Sequence, residues 1–167
     1  TKYYEFFINK GGRDHRVFSN YGVILKSRGK LQEAELYTRK SIEINPYFVE
    51  AHSNLGNILR DLGKLQEAEL STRKAIEINP DYAMAYNNLG NILRDLGKLQ
   101  EAELSTRKAI EINPYFPMAH NNLGSILRDL GKLQEAELST RKAIEINPYF
   151  PMAHSNLGNI LRDLGKL

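Results

Sequence analysis

The sequence predicts an all-α fold, a solenoid of antiparallel helix pairs with a 34-residue period. Three observations predict it. A segment beginning Leu-Gly-Asn-Ile-Leu-Arg-Asp-Leu-Gly-Lys-Leu-Gln-Glu-Ala recurs every 34 residues, with its first glycine at Gly56, Gly90 and (with Ser for Asn) Gly124. A looser copy centres on Gly22 and a cut-off copy on Gly158. Within each unit the apolar residues fall at helical spacing, and a Gly and a Pro divide each unit from itself and from the next.

The elements follow in order. Residues 1–14 read as the second helix of a truncated preceding repeat and its turn, Tyr3, Tyr4, Phe6, Phe7 and Ile8 lying in Thr1–Asn9. Whole repeats span 15–48, 49–82, 83–116 and 117–150, and 151–167 carries the first helix of a truncated fifth repeat, over Ser155–Leu164. In 83–116 the first half places Ala85, Leu89, Ile92 and Leu96 at spacings of 4, 3 and 4, with Leu93 extending the stripe. Gly97 stands where a helix-ending glycine belongs. The second half sets Leu99, Ala102, Ala109, Ile110 and Ile112 on a second helix, with Leu104 expected to broaden its apolar arc. Pro114 ends it and biases Asn113 out of the helical region, as do Pro46, Pro80 and Pro148 in the other units. Each helix is about 13 residues, roughly 20 Å, and such a helix is marginal until its neighbours bury its face. Small residues mark the expected close approaches: Gly22, Gly56, Gly90, Gly124 and Gly158 on the first helices, Ala68, Ala102 and Ala136 on the second. A larger side chain at Gly90 is expected to cost ~1–3 kcal/mol by overpacking.

Units 83–116 and 117–150 agree at 31 of 34 positions, so the differences between units say more than the matches. They fall at the start of the first helix (Val49, Glu50, His52 and Ser53 against Ala83, Met84, Tyr86 and Asn87, and Pro117, Met118, His120 and Asn121) and at the turn before it. Variation there could tune a partner, or it is drift at half-exposed positions.

Composition narrows the function. The 167 residues contain no Cys, which excludes disulfides, thiolate nucleophiles and Cys-ligated metals. No run of 18 apolar residues exists, so no helix is expected to span a membrane. The absence of Cys and of targeting or membrane segments points to the cytoplasm. Residues 1–48 hold nine basic and five acidic residues, whereas each of the units 83–116 and 117–150 holds four of each. The net +3 therefore lies in the irregular start, and no dense basic stripe predicts a nucleic-acid partner.

The pattern resembles the tetratricopeptide repeat, whose unit carries an aromatic, Leu-Gly, a mid-helix aromatic or Leu, Ala, an aromatic, Ala and Pro at set offsets. These map to Tyr86, Leu89, Gly90, Leu93, Ala102, Thr106, Ala109 and Pro114. Departures are Thr72, Thr106 and Thr140 at an aromatic slot, His52, His120 and His154 at another, and Phe18, Tyr21 and Ser41 in the first unit. The resemblance implies a right-handed superhelix whose first helices line a concave groove.

The residues of the first helix that lie off its apolar stripe form rows at the repeat spacing. Asn20, Asn54, Asn88, Asn122 and Asn156 make one; Asn57, Asn91 and Asn159 make a second, interrupted by Val23 and Ser125. Asn87 and Asn121 lie beside them, and Arg60, Arg94, Arg128 and Arg162, opened by Lys26, run next to Asp61, Asp95, Asp129 and Asp163. Asn offers a donor and an acceptor without charge, which suits the backbone of an extended peptide. The rows resemble the asparagine ladder of the superhelical repeat region in O-linked N-acetylglucosamine transferases. They lack the lysine of the carboxylate-clamp members, whose place Ser or Asn takes. The alternative is structural: Asn bonds repeat to repeat, and Arg pairs with the Asp of the adjacent unit.

No nucleophile, base and orienter set appears, and no enzyme activity, cofactor or metal is expected. His52, His120 and His154 repeat at one offset, and equivalent points on packed helices lie at least ~8–10 Å apart, too far to share a zinc ion. They are expected to fill an aromatic slot. The expected function is a protein-interaction scaffold that binds an extended peptide in the groove. The alternatives are the substrate-docking arm of a larger enzyme, such as a glycosyltransferase, and a module that self-associates through uncapped terminal helices. The segment is expected to be a piece of a longer protein.

Overall fold

The computed structural model describes residues 2–166, the side chain of Glu5 excepted. The described residues form ten helices and no strand. The helices are α1 (Lys2–Asn9), α2 (His15–Ser27), α3 (Leu31–Ile44), α4 (Val49–Asp61), α5 (Leu65–Ile78), α6 (Ala83–Asp95), α7 (Leu99–Ile112), α8 (Pro117–Asp129), α9 (Leu133–Ile146) and α10 (Pro151–Asp163). Thr1 and Leu167, expected to lie in the terminal partial repeats, are outside the described residues. The chain divides into two compact units, Thr1–Pro80 and Asp81–Leu167.

Both units follow one construction. The two helices of a repeat pack together, and within a unit α3 also packs on α4, α7 on α8 and α9 on α10. First helices touch their first-helix neighbours within a unit, α2 with α4, α6 with α8, and α8 with α10. The first helix ends in the same way each time. At α6, Lys98 N–H bonds to Leu93 O at 2.8 Å and Gly97 N–H to Arg94 O at 3.0 Å, with Gly97 at φ 75°. This glycine cap satisfies two terminal carbonyls, and its left-handed conformation costs other L-residues about 1–2 kcal/mol. The second helix stops at an extended Asn113 (φ −133°, ψ 91°), whose Oδ1 then accepts the N–H of Tyr115 at 3.2 Å.

The core is the predicted stripe. Leu55, Ile58, Leu59, Leu89, Ile92, Leu93, Leu123, Ile126 and Leu127 are buried, as are Ala34, Ala68, Ala102 and Ala136 on the second helices. Each large side chain so buried contributes roughly 1.5–3 kcal/mol relative to exposure. The close approach at the repeated glycine is tighter than the pattern alone implies. A Cβ on Gly90 would lie 2.1 Å from Thr106 Oγ1 and 3.3 Å from Ala102 O. Thr106 is wholly buried, and its hydroxyl donates to Ala102 O at 2.9 Å. The threonine found in place of an aromatic is thus the partner of the glycine, small enough for the two helices to meet.

One expectation is corrected. Leu104 does not widen the buried arc: it is 70% exposed, and Leu36, Leu70 and Leu138 are exposed with it. Within a unit successive second helices do not pack on one another, and the equivalent Leu70 and Leu138 line the clefts between them.

Candidate functional site

The first helices present the polar rows, and the structure separates the expected contact residues into two classes. Asn87 and Asn121 are 1% exposed, and Asn88 is also buried. Expected on the groove surface, they lie instead inside the packing. For Asn87 and Asn121 the reason is the direct approach of the next first helix in the same unit. Asn122 Nδ2 donates to Asn87 Oδ1 at 2.8 Å, and Asn156 Nδ2 donates to Asn121 Oδ1 at 2.7 Å and Ser125 Oγ at 3.0 Å. In the other unit Asn54 Nδ2 donates to Ser19 Oγ at 3.2 Å. Asn54, Asn122 and Asn156 are half-buried and commit an amide hydrogen to the joint. A buried amide needs such a partner, because leaving it unpaired costs roughly 1–3 kcal/mol.

The arginine row is also engaged. Arg94 bonds Asp129 and Arg128 bonds Asp163, each at 2.5 Å, and Lys26 bonds Asp61 at 2.9 Å. Arg60 is partnered as well. The hydrogen bond from Arg128 holds the Asp163 carboxyl below the ordinary aspartate value. Arg94 and Arg128, expected to bind peptide, are neutralised by the next first helix and form a charged but balanced flank.

The second asparagine row remains open. Asn57 and Asn91 are half-buried, and among the described residues their side chains make no hydrogen bond; Asn20, at the head of the first row, is exposed and also makes none. Asn159 accepts from Arg162 Nη2 at 3.0 Å, and Ser125 in the same row accepts from Asn156. Each first helix therefore carries an outward stripe. On α8 it runs Met118, Asn122, Ser125, Arg128, at spacings of 4, 3 and 3 that keep it on one face.

The second-helix side differs. In each unit two successive second helices leave a cleft floored by a first helix. One, of about 460 Å³, is lined by Ile42, His52, Leu55, Leu59 and Leu70; the other, of about 530 Å³, by Ile110, His120, Leu123, Leu127 and Leu138. Ion pairs cross it. Glu103 accepts from Arg107 on its own helix and from Lys132 at 2.8 Å, and Arg107 reaches Glu135 at 2.9 Å. Hydrogen bonds from Lys132, and then Arg107, lower the Glu103 pKa. At Glu35 burial works the other way, but bonds from Lys64 and Arg39 outweigh it and the carboxyl is again lowered. Sequence reasoning did not single out this network. Its signal was present as Glu–Arg pairs four apart, repeated every 34 residues.

The histidines have a local use. Nε2 of His52 and of His120 lies 2.9 Å from the carbonyls of Pro46 and Pro114, and that of His154 lies 2.8 Å from Pro148 O. A carbonyl only accepts, so each ring donates from Nε2 and braces the turn before its helix. Among the described residues no group of three His, Asp or Glu could hold a metal ion, and no helix is long and apolar enough to cross a membrane.

No curated protein sequence matches the chain. Solved structures share the fold. TTC0263, a thermophilic TPR protein of Thermus thermophilus, superposes with a TM-score of 0.83 at 22% identity, over 91% of this chain and 84% of its own. PilF of Pseudomonas aeruginosa gives 0.82 at 22% identity, over 91% and 69%. YrrB, a TPR protein with an unusual peptide-binding site, gives 0.69 at 22% identity, over 98% and 84%. Family models described as tetratricopeptide repeat match residues 15–48, 49–82, 83–116 and 117–150. These repeats cover most of the sequence, and the chain belongs to the tetratricopeptide repeat family.

Proposed function

We propose that the chain is a non-catalytic interaction scaffold that holds an extended peptide against its first helices. The observation that carries this reading is the open asparagine row. Asn57 and Asn91 are half-buried amides with no hydrogen-bond partner among the described residues. Such a group, held in place by the helix around it, loses little freedom on meeting the N–H and C=O of a peptide. The joint beneath it supports the same reading: Asn54 and Asn122 tie neighbouring first helices together, so the presenting face is pre-organised. That YrrB has a peptide-binding site is consistent with this use of the fold.

The test is a peptide panel read by fluorescence anisotropy against the wild type and the Asn57→Ala/Asn91→Ala variant. The reading expects the variant to bind its best peptides at least tenfold more weakly, with an unchanged far-UV circular dichroism spectrum. Unchanged affinity for every peptide that binds the wild type would sink it.

A further inference from the structure

The apolar flank of the first-helix face bears on which peptides it would take. All three methionines of the chain, Met84, Met118 and Met152, stand at the second position of α6, α8 and α10, 34 residues apart, and all lie in the unit Asp81–Leu167. Met118 is 39% exposed and Met152 59%, and Met84 packs partly against the cluster of Ala109, Phe116 and Ala119. Tyr115 and Tyr149, each three residues earlier in the sequence, are exposed as well. The same position in the other unit holds Arg16 and Glu50, so the apolar row belongs to this unit alone. Exposed, unbranched methionines suit a surface that adapts to other apolar side chains.

The stripe on each helix orders three chemistries. From Met118 to Ser125 is seven residues, about 10 Å, and from Met118 to Arg128 about 15 Å, at 1.5 Å per residue. An extended main chain laid over the central Asn91, Ser125 and Asn159 would have thioethers on one side and neutralised Arg–Asp pairs on the other. The helices that carry these stripes pack directly, as the bonds Asn122 to Asn87 and Asn156 to Asn121 show. Directly packed helices lie about 8–10 Å apart. A polyproline II chain has three residues per turn and rises ~3.1 Å per residue, so every third side chain returns to one side after about 9.3 Å. In a β-strand the same-side spacing is about 6.6 Å for two residues and about 13 Å for four, and neither matches.

Resting on the peptide-binding reading above, we infer that the unit Asp81–Leu167 selects extended segments of polyproline II form with a large apolar residue at every third position, each seated on one methionine of the row.

The test compares two fluorescein-labelled twelve-residue peptides of identical composition, each with four Leu, set three residues apart in one and two residues apart in the other, the rest Pro, Ser and Gln. Both are titrated into the full chain and into the Met118→Ser/Met152→Ser variant, whose replaced side chains are surface-exposed. The expected result is at least tenfold tighter binding of the three-phased peptide, with that advantage falling at least fivefold in the variant. Equal affinity of the two peptides, or a preference untouched by the variant, overturns the inference. If both peptides bind equally and both weaken on Asn91→Ala, the inference falls and the peptide-binding reading stands. If neither binds, the inference falls, and the peptide-binding reading is decided by the panel above.

Discussion

The contact between Gly90 and Thr106 yields a sharp energetic prediction. Gly90→Ala places a Cβ 2.1 Å from Thr106 Oγ1, well inside contact distance, while Ala102 O at 3.3 Å is only tight. The oxygen is held by its bond to Ala102 O, so either that bond breaks or α6 and α7 separate. Overpacking of this kind costs about 1–3 kcal/mol, and Ala in place of a mid-helix Gly returns about 1 kcal/mol. The net expectation is a loss of about 0–2 kcal/mol. In a Thr106→Ala background the offending oxygen is gone, and the nearest atoms are the residue-106 Cβ at 3.4 Å and Ala102 O. There Gly90→Ala should be neutral or stabilising by up to about 1 kcal/mol. The double-mutant cycle should therefore show a coupling of about 1–3 kcal/mol in favour of the double variant. Urea denaturation of the four proteins, with hydrogen exchange on α6 and α7 to localise the effect, measures it. Additive changes would refute the account of why this repeat pairs Gly with Thr.

Other outcomes follow from the same contacts. Asn122→Ala leaves the Asn87 carbonyl oxygen buried and unpaired, so it should destabilise by about 1–3 kcal/mol, whereas Asn91→Ala should cost less than about 0.5 kcal/mol; chemical denaturation separates them. Glu103 and Glu137 have folded pKa values below the ordinary 4.5, lowered by Lys132 and Arg107 and by Lys166 and Arg141 respectively. Their contribution is complete above that value and is lost as pH falls through the lower folded value, so Glu103→Gln should flatten the acid limb of a melting-temperature profile. Because Arg94 and Arg128 are neutralised by Asp129 and Asp163, peptide affinity should vary less than about threefold between low and roughly 0.5 M salt in a binding titration.

The fold was legible because each repeat states it again. Leu89, Ile92 and Leu93 fix the buried face of α6, Gly97 its end and Pro114 the end of α7, and all of these are local signals. The site was legible only in part. Asn88 and Asn91 differ by three positions on one helix and look alike in sequence, yet one is buried and the other open. The 34-residue spacing does not distinguish a side chain that packing buries from one that stays open. Asn121 and Asn122 are adjacent and chemically identical, but Asn121 is wholly buried and accepts from Asn156 on the next first helix, whereas Asn122 is half-buried and donates to Asn87 on the preceding one. The exposure of Leu104 and of its copies Leu70 and Leu138 was missed for a related reason: helical period places this position beside the core, and within a unit the separation of α3 from α5 and of α7 from α9 leaves Leu70 and Leu138 uncovered.

The most direct test of peptide capture by the first helices is nuclear magnetic resonance of the asparagine side-chain amides during titration with a binding peptide. The account predicts that the NH2 signals of Asn57 and Asn91 shift with the bound fraction while those of buried Asn87 and Asn121 stay nearly fixed. Shifts confined to the second-helix clefts, around Leu70 and Leu138, with Asn57 and Asn91 silent, would contradict it.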